Sequence, residues 1–308
     1  MGKRALLVLL TIVLSSMLLF ACGNPKSEMS ANAVRPITDF KGHQVDIPAS
    51  PQRVIFWGET YGDLLAIDAD VVGAGFFAID GFVFEDQVKN VEDLGFPINL
   101  EKALELEPDL IITASTDEKE YEQLSKIAPT VMFNTFEKLD ARMLLIGDLV
   151  GRKAEAEQWL AQYKEKTDQM WATLHKAGVQ SDETASVLTF YPGDRLFVMA
   201  STGLSQVIYE QGGLKPLGKV QELLDEGTGF KEISKELLPE YAGDRIFVLT
   251  PVDEEAKKST EDMLASPLWK NLPAVQKGHV YTIDILKSGS DALTRQWLLE
   301  EIPNQLAK

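Results

Sequence analysis

Few side chains in this sequence have the type and spacing to do covalent or coordination chemistry, and the clearest is Cys22, the only cysteine in 308 residues. A lone thiol excludes an internal disulfide and leaves a group attached through sulfur as its best use. Histidine is nearly as scarce. His43 and His279 each follow a glycine in a turn-like stretch, and His175 lies among lysines on a helix-period segment. None has a partner at the spacing a nucleophile or a metal ion needs. There is no Gly-x-Ser-x-Gly elbow, no His-x-x-x-His pair and no Gly-x-x-x-x-Gly-Lys loop. A zinc or manganese carrier would want several clustered histidines and carboxylates. The residues therefore argue against an enzyme, a resident metal ion and a cofactor.

What remains are aromatic and polar residues just past β-branched runs, where α/β sheets bind ligands. Trp57, Glu59 and Tyr61 follow the first run, Phe76 and Phe77 the second, Phe133 and Phe136 the fourth. In the second half they are Tyr191, Arg195, Met199, Ser201 and Thr202 around one hairpin, with Lys287 and Ser288 before the last helix. Aromatics so placed can pack on the organic shell of a ligand, and the plain alternative is that many are core residues.

The elements that must hold these residues are legible from periodicity. Strands are expected at Arg53 to Trp57, Val71 to Gly75, Asp109 to Ala114 and Thr130 to Phe133, with helices between them, which predicts α/β units on largely parallel sheets. Pro192-Gly193-Asp194 predicts a hairpin between Ala185 to Tyr191 and Leu196 to Met199. Further strands are expected at Asp244 to Thr250 and His279 to Asp284, and a final helix near Asp291 to Leu306. From Arg152 to Ala177, Trp159, Tyr163, Met170 and Trp171 recur at helical spacing, and a helix of that length spans roughly 39 Å. Asn99-Leu100-Glu101 with Asp109 is echoed by Ser234-Lys235-Glu236 with Asp244, both acids offset by 135. Each copy reads as an N-cap, an acidic second helical residue, a short helix and a buried strand, as in two similar lobes.

The N-terminus reads Lys3-Arg4, then apolar residues from Ala5 to Phe20, then Leu19-Phe20-Ala21-Cys22. Its apolar stretch spans roughly 24 Å, short of the ~30 Å hydrocarbon core, so an export signal fits better than a permanent membrane helix. Leu19, Ala21 and Gly23-Asn24 around Cys22 resemble the lipobox of bacterial lipoproteins. Residues 1–21 are then a signal peptide, Cys22 the lipidated (palmitate-bearing) N-terminus and residues 22–36 a tether. The formal charge of −17 becomes −19 once Lys3 and Arg4 leave. Such a surface repels nucleic acid and anionic lipid, so the lipid must make the membrane link.

Taken together the mature chain resembles the ABC-transporter solute-binding lipoproteins that carry ferric siderophores (iron-hydroxamate type among them), cobalamin or haem. The resemblance rests on Asp39 to Pro48 with Pro51 to Ile55, Leu64 to Ile67, Asn99 to Ile112, Ile127 to Val131, Trp269 to Val275 and Ser290 to Arg295. It implies an α/β fold of two Rossmann-like lobes joined by one long rigid helix: residues 37–151, a connecting helix over 152–178, and residues 179–308. It implies a monomer on the outer face of the cytoplasmic membrane, with a ligand in the interlobe cleft. It also implies that Glu101 and Glu236 dock with arginines of an ABC permease. Relatives that bind ferric hydroxamates often place a Trp and an Arg where this chain reads Ala200 to Ser205, and neither is present. A strongly anionic ferric catecholate would need a basic cluster, whereas Arg195, Lys287 and Arg142 are the only cationic candidates. A neutral or cationic chelate is expected, hydroxamate first. Cobalamin or haem is the alternative, and an exported enzyme a more distant one.

Overall fold

The computed structural model describes residues 33–75, 81–88 and 91–306. Cys22, the export segment, Phe76 and Phe77 lie outside these residues. The chain opens with an antiparallel hairpin, β1 (Val34–Thr38) and β2 (Gln44–Pro48), whose register runs from Val34↔Pro48 to Thr38↔Gln44. Ile47, with no solvent exposure, belongs to the same core as β3 (Val54–Trp57).

The turn of the hairpin is fastened by one carboxylate. Asp39 Oδ1 accepts from the backbone N–H of Lys41 and His43, each at 2.9 Å, while Oδ2 takes His43 Nδ1 at 2.8 Å and the Met132 N–H at 3.2 Å. The His43 ring stacks on Tyr121 with centroids 4.0 Å apart, and its Nε2 lies 3.2 Å from Glu118. The hydrogen bond to Asp39 and the charges of Asp39 and Glu118 raise the His43 pKa above its ordinary value. A base whose folded pKa is raised contributes stability that is complete below the unfolded pKa of about 6.5 and is lost as pH rises through the folded value. Hydrogen exchange of the β1 and β2 amides, corrected for intrinsic rate, is expected to accelerate as pH rises above about 6.5. His43→Gln should abolish that dependence, and an unchanged profile would show that the imidazolium contributes nothing to holding the hairpin.

The first lobe is a five-stranded parallel sheet made of β3, β4 (Gly73–Ala74), β5 (Glu92–Asp93), β6 (Leu110–Thr113) and β7 (Thr130–Met132), in the order β5-β4-β3-β6-β7. Its central strands are buried on both faces, which is why they read as unbroken apolar runs. The connections run outward in opposite directions from β3 and β6, so a crevice opens beyond their carboxyl ends. Small residues meet there. A Cβ on Gly58 would stand 2.9 Å from that of Ala114.

The second lobe holds β8 (Thr184–Tyr191), β9 (Arg195–Met199), β10 (Lys215–Pro216), β11 (Phe230–Ile233), β12 (Arg245–Thr250) and β13 (Val280–Asp284). Their order is β11-β9-β8-β12-β13, with β10 beside the start of β8. This sheet is mixed, because the expected hairpin makes β9 antiparallel to β8, and β11 is antiparallel to β9. The connecting helix spans Lys153–Lys176 and buries Ala156, Trp159, Tyr163, Thr167, Met170, Trp171 and Leu174 on one stripe. At 24 residues it is about 36 Å long. The last helix, Ala292–Leu306, packs on the connecting helix, on Gly62–Leu65 and on Leu204–Ile208, and so touches both lobes. Among the described residues no helix is long and apolar enough to cross a membrane.

The repeated acids prove to be one structural device used twice. Asp109, just before β6, accepts from the N–H groups of Gln52 (2.7 Å) and Arg53 (2.9 Å) at the start of β3. Asp244, just before β12, accepts from the N–H (3.0 Å) and hydroxyl (2.8 Å) of Thr184 at the start of β8. The upstream halves differ. Asn99 caps Leu100–Glu105, accepting from the N–H of Glu101 and Lys102. Ser234 does not cap backbone; its hydroxyl bonds the Glu236 carboxylate, and Lys235–Leu237 is a 3₁₀ turn leading to a single turn at Leu238–Tyr241. Pro239 explains the difference, since it has no N–H to give to the carbonyl of Lys235 and a continuous helix cannot form there.

Candidate functional site

The two lobes meet on a buried ionic floor. Arg142, 1 % exposed and placed by helix Leu139–Leu149, gives Nε to Asp63 Oδ2 at 2.6 Å and Nη2 to Asp63 Oδ1 at 3.3 Å. The same Nη2 reaches across to the Ser290 carbonyl at 2.7 Å, and Asp63 Oδ1 accepts the N–H of Ala292 at 2.7 Å. Asp291 lies against Gly62, where any Cβ would collide with its carboxylate, and caps the last helix by accepting from the Thr294 N–H at 2.9 Å. Burial pushes the Asp291 carboxyl up to about 6; the Thr294 bonds and the Arg142 charge oppose this, and the Asp63 charge reinforces it. Arg142, one of the three cationic candidates, is therefore a structural tie rather than a cleft cation.

Above this floor, the wall contributed by the second lobe is aromatic. Tyr191 and Phe230 both meet Phe197 edge-on, at centroid distances of 5.1 and 5.8 Å. Tyr191 and Phe230 are 40 % and 45 % exposed, so each presents a free ring surface. From the first lobe Phe136, also half exposed, abuts Gly229 beside the Thr202 methyl, because a Cβ on Gly229 would lie 3.2 Å from the Phe136 ring. Arg195 lies over the Phe197 ring at 4.9 Å and gives Nε and Nη2 to Glu232 Oε2 at 2.9 and 2.7 Å. Its charge is cancelled where it stands. Ser201 gives its hydroxyl to the Thr228 carbonyl at 3.3 Å, and Met199 is buried in the sheet.

The structure thus gathers Tyr191, Arg195, Ser201, Thr202 and Phe136, and separates others from them. Tyr61 is only 3 % exposed and packs between Phe56 and Phe84; it is a core residue, and burial drives its phenol pKa upward. Phe133 is wholly buried against Phe56. Trp57, half-buried at the end of β3, stacks flat on Phe96 at 5.4 Å and donates to the Gly95 carbonyl at 3.3 Å, on the β4 side of the sheet. Lys287 lies over the Trp297 ring at 5.9 Å. Glu59 meets the Thr135 hydroxyl at 3.3 Å. Phe197 and Phe230 are the residues the sequence reading passed over. Phe197 lies mid-strand where only the pleat tells its face, and β11 has no apolar alternation to mark it as a strand.

Glu101 and Glu236 are both exposed near the starts of their turns, on the side of each lobe where the carboxyl ends of the parallel strands lie. The Ser234 hydroxyl and the Glu236 N–H hold the Glu236 carboxyl below its ordinary value, so it stays ionised. Among the described residues no group of three or more His, Cys, Asp or Glu could hold a metal ion.

Residues 85–285 match the model of the family described as periplasmic binding protein. The iron(3+)-hydroxamate-binding protein YxeB of Bacillus subtilis is 31% identical over 92% of this chain and 90% of its own length, and the iron(3+)-hydroxamate-binding protein FhuD of the same organism is 31% identical over 94% of each. Among solved structures, the FhuD protein from S. pseudintermedius superposes with a TM-score of 0.79 at 28% identity, covering 89% of this chain and 98% of that one. FhuD2 from Staphylococcus aureus with bound ferrioxamine B superposes with a TM-score of 0.74 at 27% identity, covering 84% and 100%. With the family model matched across both lobes, and the two lobes, connecting helix and interlobe cleft all present, this chain belongs to the periplasmic binding protein family.

Proposed function

We propose that this protein captures a ferric siderophore, of the hydroxamate class, in the cleft between residues 37–151 and residues 179–308, and delivers it to an ABC permease for iron uptake. The observation that carries the ligand class is the pairing of an exposed aromatic wall with the absence, among the described residues, of an unspent basic cluster at the cleft. Arg195 is matched by Glu232 and Arg142 by Asp63, which leaves of the three cationic candidates only Lys287, over the Trp297 ring, too little counter-charge for a multiply anionic chelate, whereas a neutral or cationic one buries its organic shell on Tyr191, Phe230 and Phe136. In the same reading the protein acts as a monomer, held at the outer face of the cytoplasmic membrane by lipid on Cys22, with the iron held by the chelator rather than by protein ligands. It performs no catalysis.

The test is a thermal-shift panel of ferric hydroxamates, ferric catecholates, ferric citrate, cobalamin and haem. A ligand at a hundred times its dissociation constant adds about 2.7 kcal/mol. Ferric hydroxamates are expected to shift the melt, and a response confined to cobalamin, haem or a catecholate would overturn the assignment. Tyr191→Ala and Phe230→Ala, each removing an exposed ring from the wall, are expected to weaken hydroxamate binding by about tenfold with little change in melting temperature. Unchanged affinity in both would move the ligand off this wall.

A further inference from the structure

The cleft continues along its flank into a crevice of about 670 Å³ that runs from Phe136 and Ser201 to the middle of the connecting helix. Its volume is that of a small-molecule site. Tyr191 and Phe230 do not line it; its sides carry Leu139, Leu160 and Leu224, with the Phe136, Tyr163 and Tyr209 rings. Glu210 is its one acidic group set well below the surface. Oε1 of Glu210 accepts from the Tyr163 hydroxyl at 3.0 Å and Arg295 Nη1 at 3.1 Å, while Oε2 accepts no hydrogen bond among the described residues. Arg295 is already spent, with Nη2 on Gln206 and Nε on the Ser290 carbonyl at 3.1 Å. At the rim Lys164 pairs with Asp168 at 2.7 Å, and Lys138 and Asp140 add one charge of each sign. What is left is an electrically balanced, apolar-sided crevice, joined to the cleft, with one unfilled carboxylate oxygen.

We propose that this crevice receives an aliphatic arm of the bound chelate ending in a primary ammonium, which donates to Glu210 Oε2. The inference rests on the siderophore reading and adds a chemical requirement to it. Methylene groups of the arm replace water against the three leucines, and the ammonium forms a charge-assisted bond, roughly twice as strong as one from a neutral amide. Burial, acting against Arg295 and the Tyr163 bond, raises the Glu210 pKa, which marks its carboxylate as poorly solvated and open to a cationic partner.

The test is calorimetric titration with a ferric tris-hydroxamate carrying a pendant aliphatic primary amine, alongside the same chelate with that amine acetylated. The amine form is expected to bind about tenfold more tightly. Glu210→Gln should reduce the ratio to near one. Ala161→Trp fills the crevice from the exposed side of the connecting helix while leaving the Glu210 carboxylate in the chain, and should do the same if Glu210→Gln fails to fold. In Glu210→Gln the acetylated form should bind as it does to the parent chain. Equal affinity of the two forms for the parent, or a ratio that survives both substitutions, would overturn the arm site while leaving the siderophore reading in place. If neither form binds, both readings fall.

Discussion

Replacing Arg142 by alanine is expected to destabilise the protein by about 3–5 kcal/mol, the usual result of leaving one half of a buried ion pair uncompensated. The effect should be large because five hydrogen bonds vanish at once, two to Asp63 and one each to the carbonyls of Ser290, Thr135 and Glu137, and because Asp291 already lies beside Asp63. In a chain of this size the melting temperature should fall by roughly 10 °C. Arg142→Met combined with Asp63→Leu should recover part of the loss, since the pair is then removed rather than broken. Full recovery is not expected, as the Ala292 N–H would still lose its acceptor. A loss under about 1 kcal/mol in Arg142→Ala, measured by urea unfolding, would show that the floor is hydrated and the tie unimportant.

Glu101→Ala combined with Glu236→Ala is expected to reduce iron-chelate uptake by whole cells at least tenfold while leaving ligand affinity and melting temperature nearly unchanged. Neither acid lines the crevice along the connecting helix, and both are exposed. Their local role is small. Each sits in the first turn of a short element, where a carboxylate contributes about 0.3–1 kcal/mol. An exposed acid on each lobe is suited instead to meet cationic groups of a membrane partner, where loss of a desolvated charge pair costs far more. Normal uptake by the double variant would confine both residues to helix ends, and lost ligand binding would place them in the cleft.

How much of this could be read from residues alone depended on whether neighbours in sequence or in space decide the outcome. The β3 and β6 runs, the connecting helix and the hairpin at Pro192 to Asp194 are local patterns, and each forms within a residue or two of its expected bounds. Asp109 and Asp244 carried a structural rhyme in their spacing alone. Arg142 did not, because its partners Asp63 and Ser290 are 79 and 148 residues away, and no local pattern distinguishes a spent cation from a free one. Tyr61 and Trp57 follow the same strand, yet the helix that starts at Gly62 turns the tyrosine into the core. Phe230 sits in an edge strand of mostly exposed residues, so its value lies in facing Phe197, a contact made by β11 pairing with β9.

The tie between the lobes also has a temporal side. Asp63 lies near the start of the folded chain, but Ser290 and Ala292, which complete its site, are near the end. A chain made from its N-terminus folds its early units first. Until the last helix has emerged, Arg142 and Asp63 lack the Ser290 carbonyl and the Ala292 N–H, and the first lobe carries a partly unfilled polar socket at a surface that the second lobe will bury. This tie between the lobes can therefore close only after the last helix has been made. A chain truncated before Ser290 would retain most of both sheets and still lack the part that fixes one to the other.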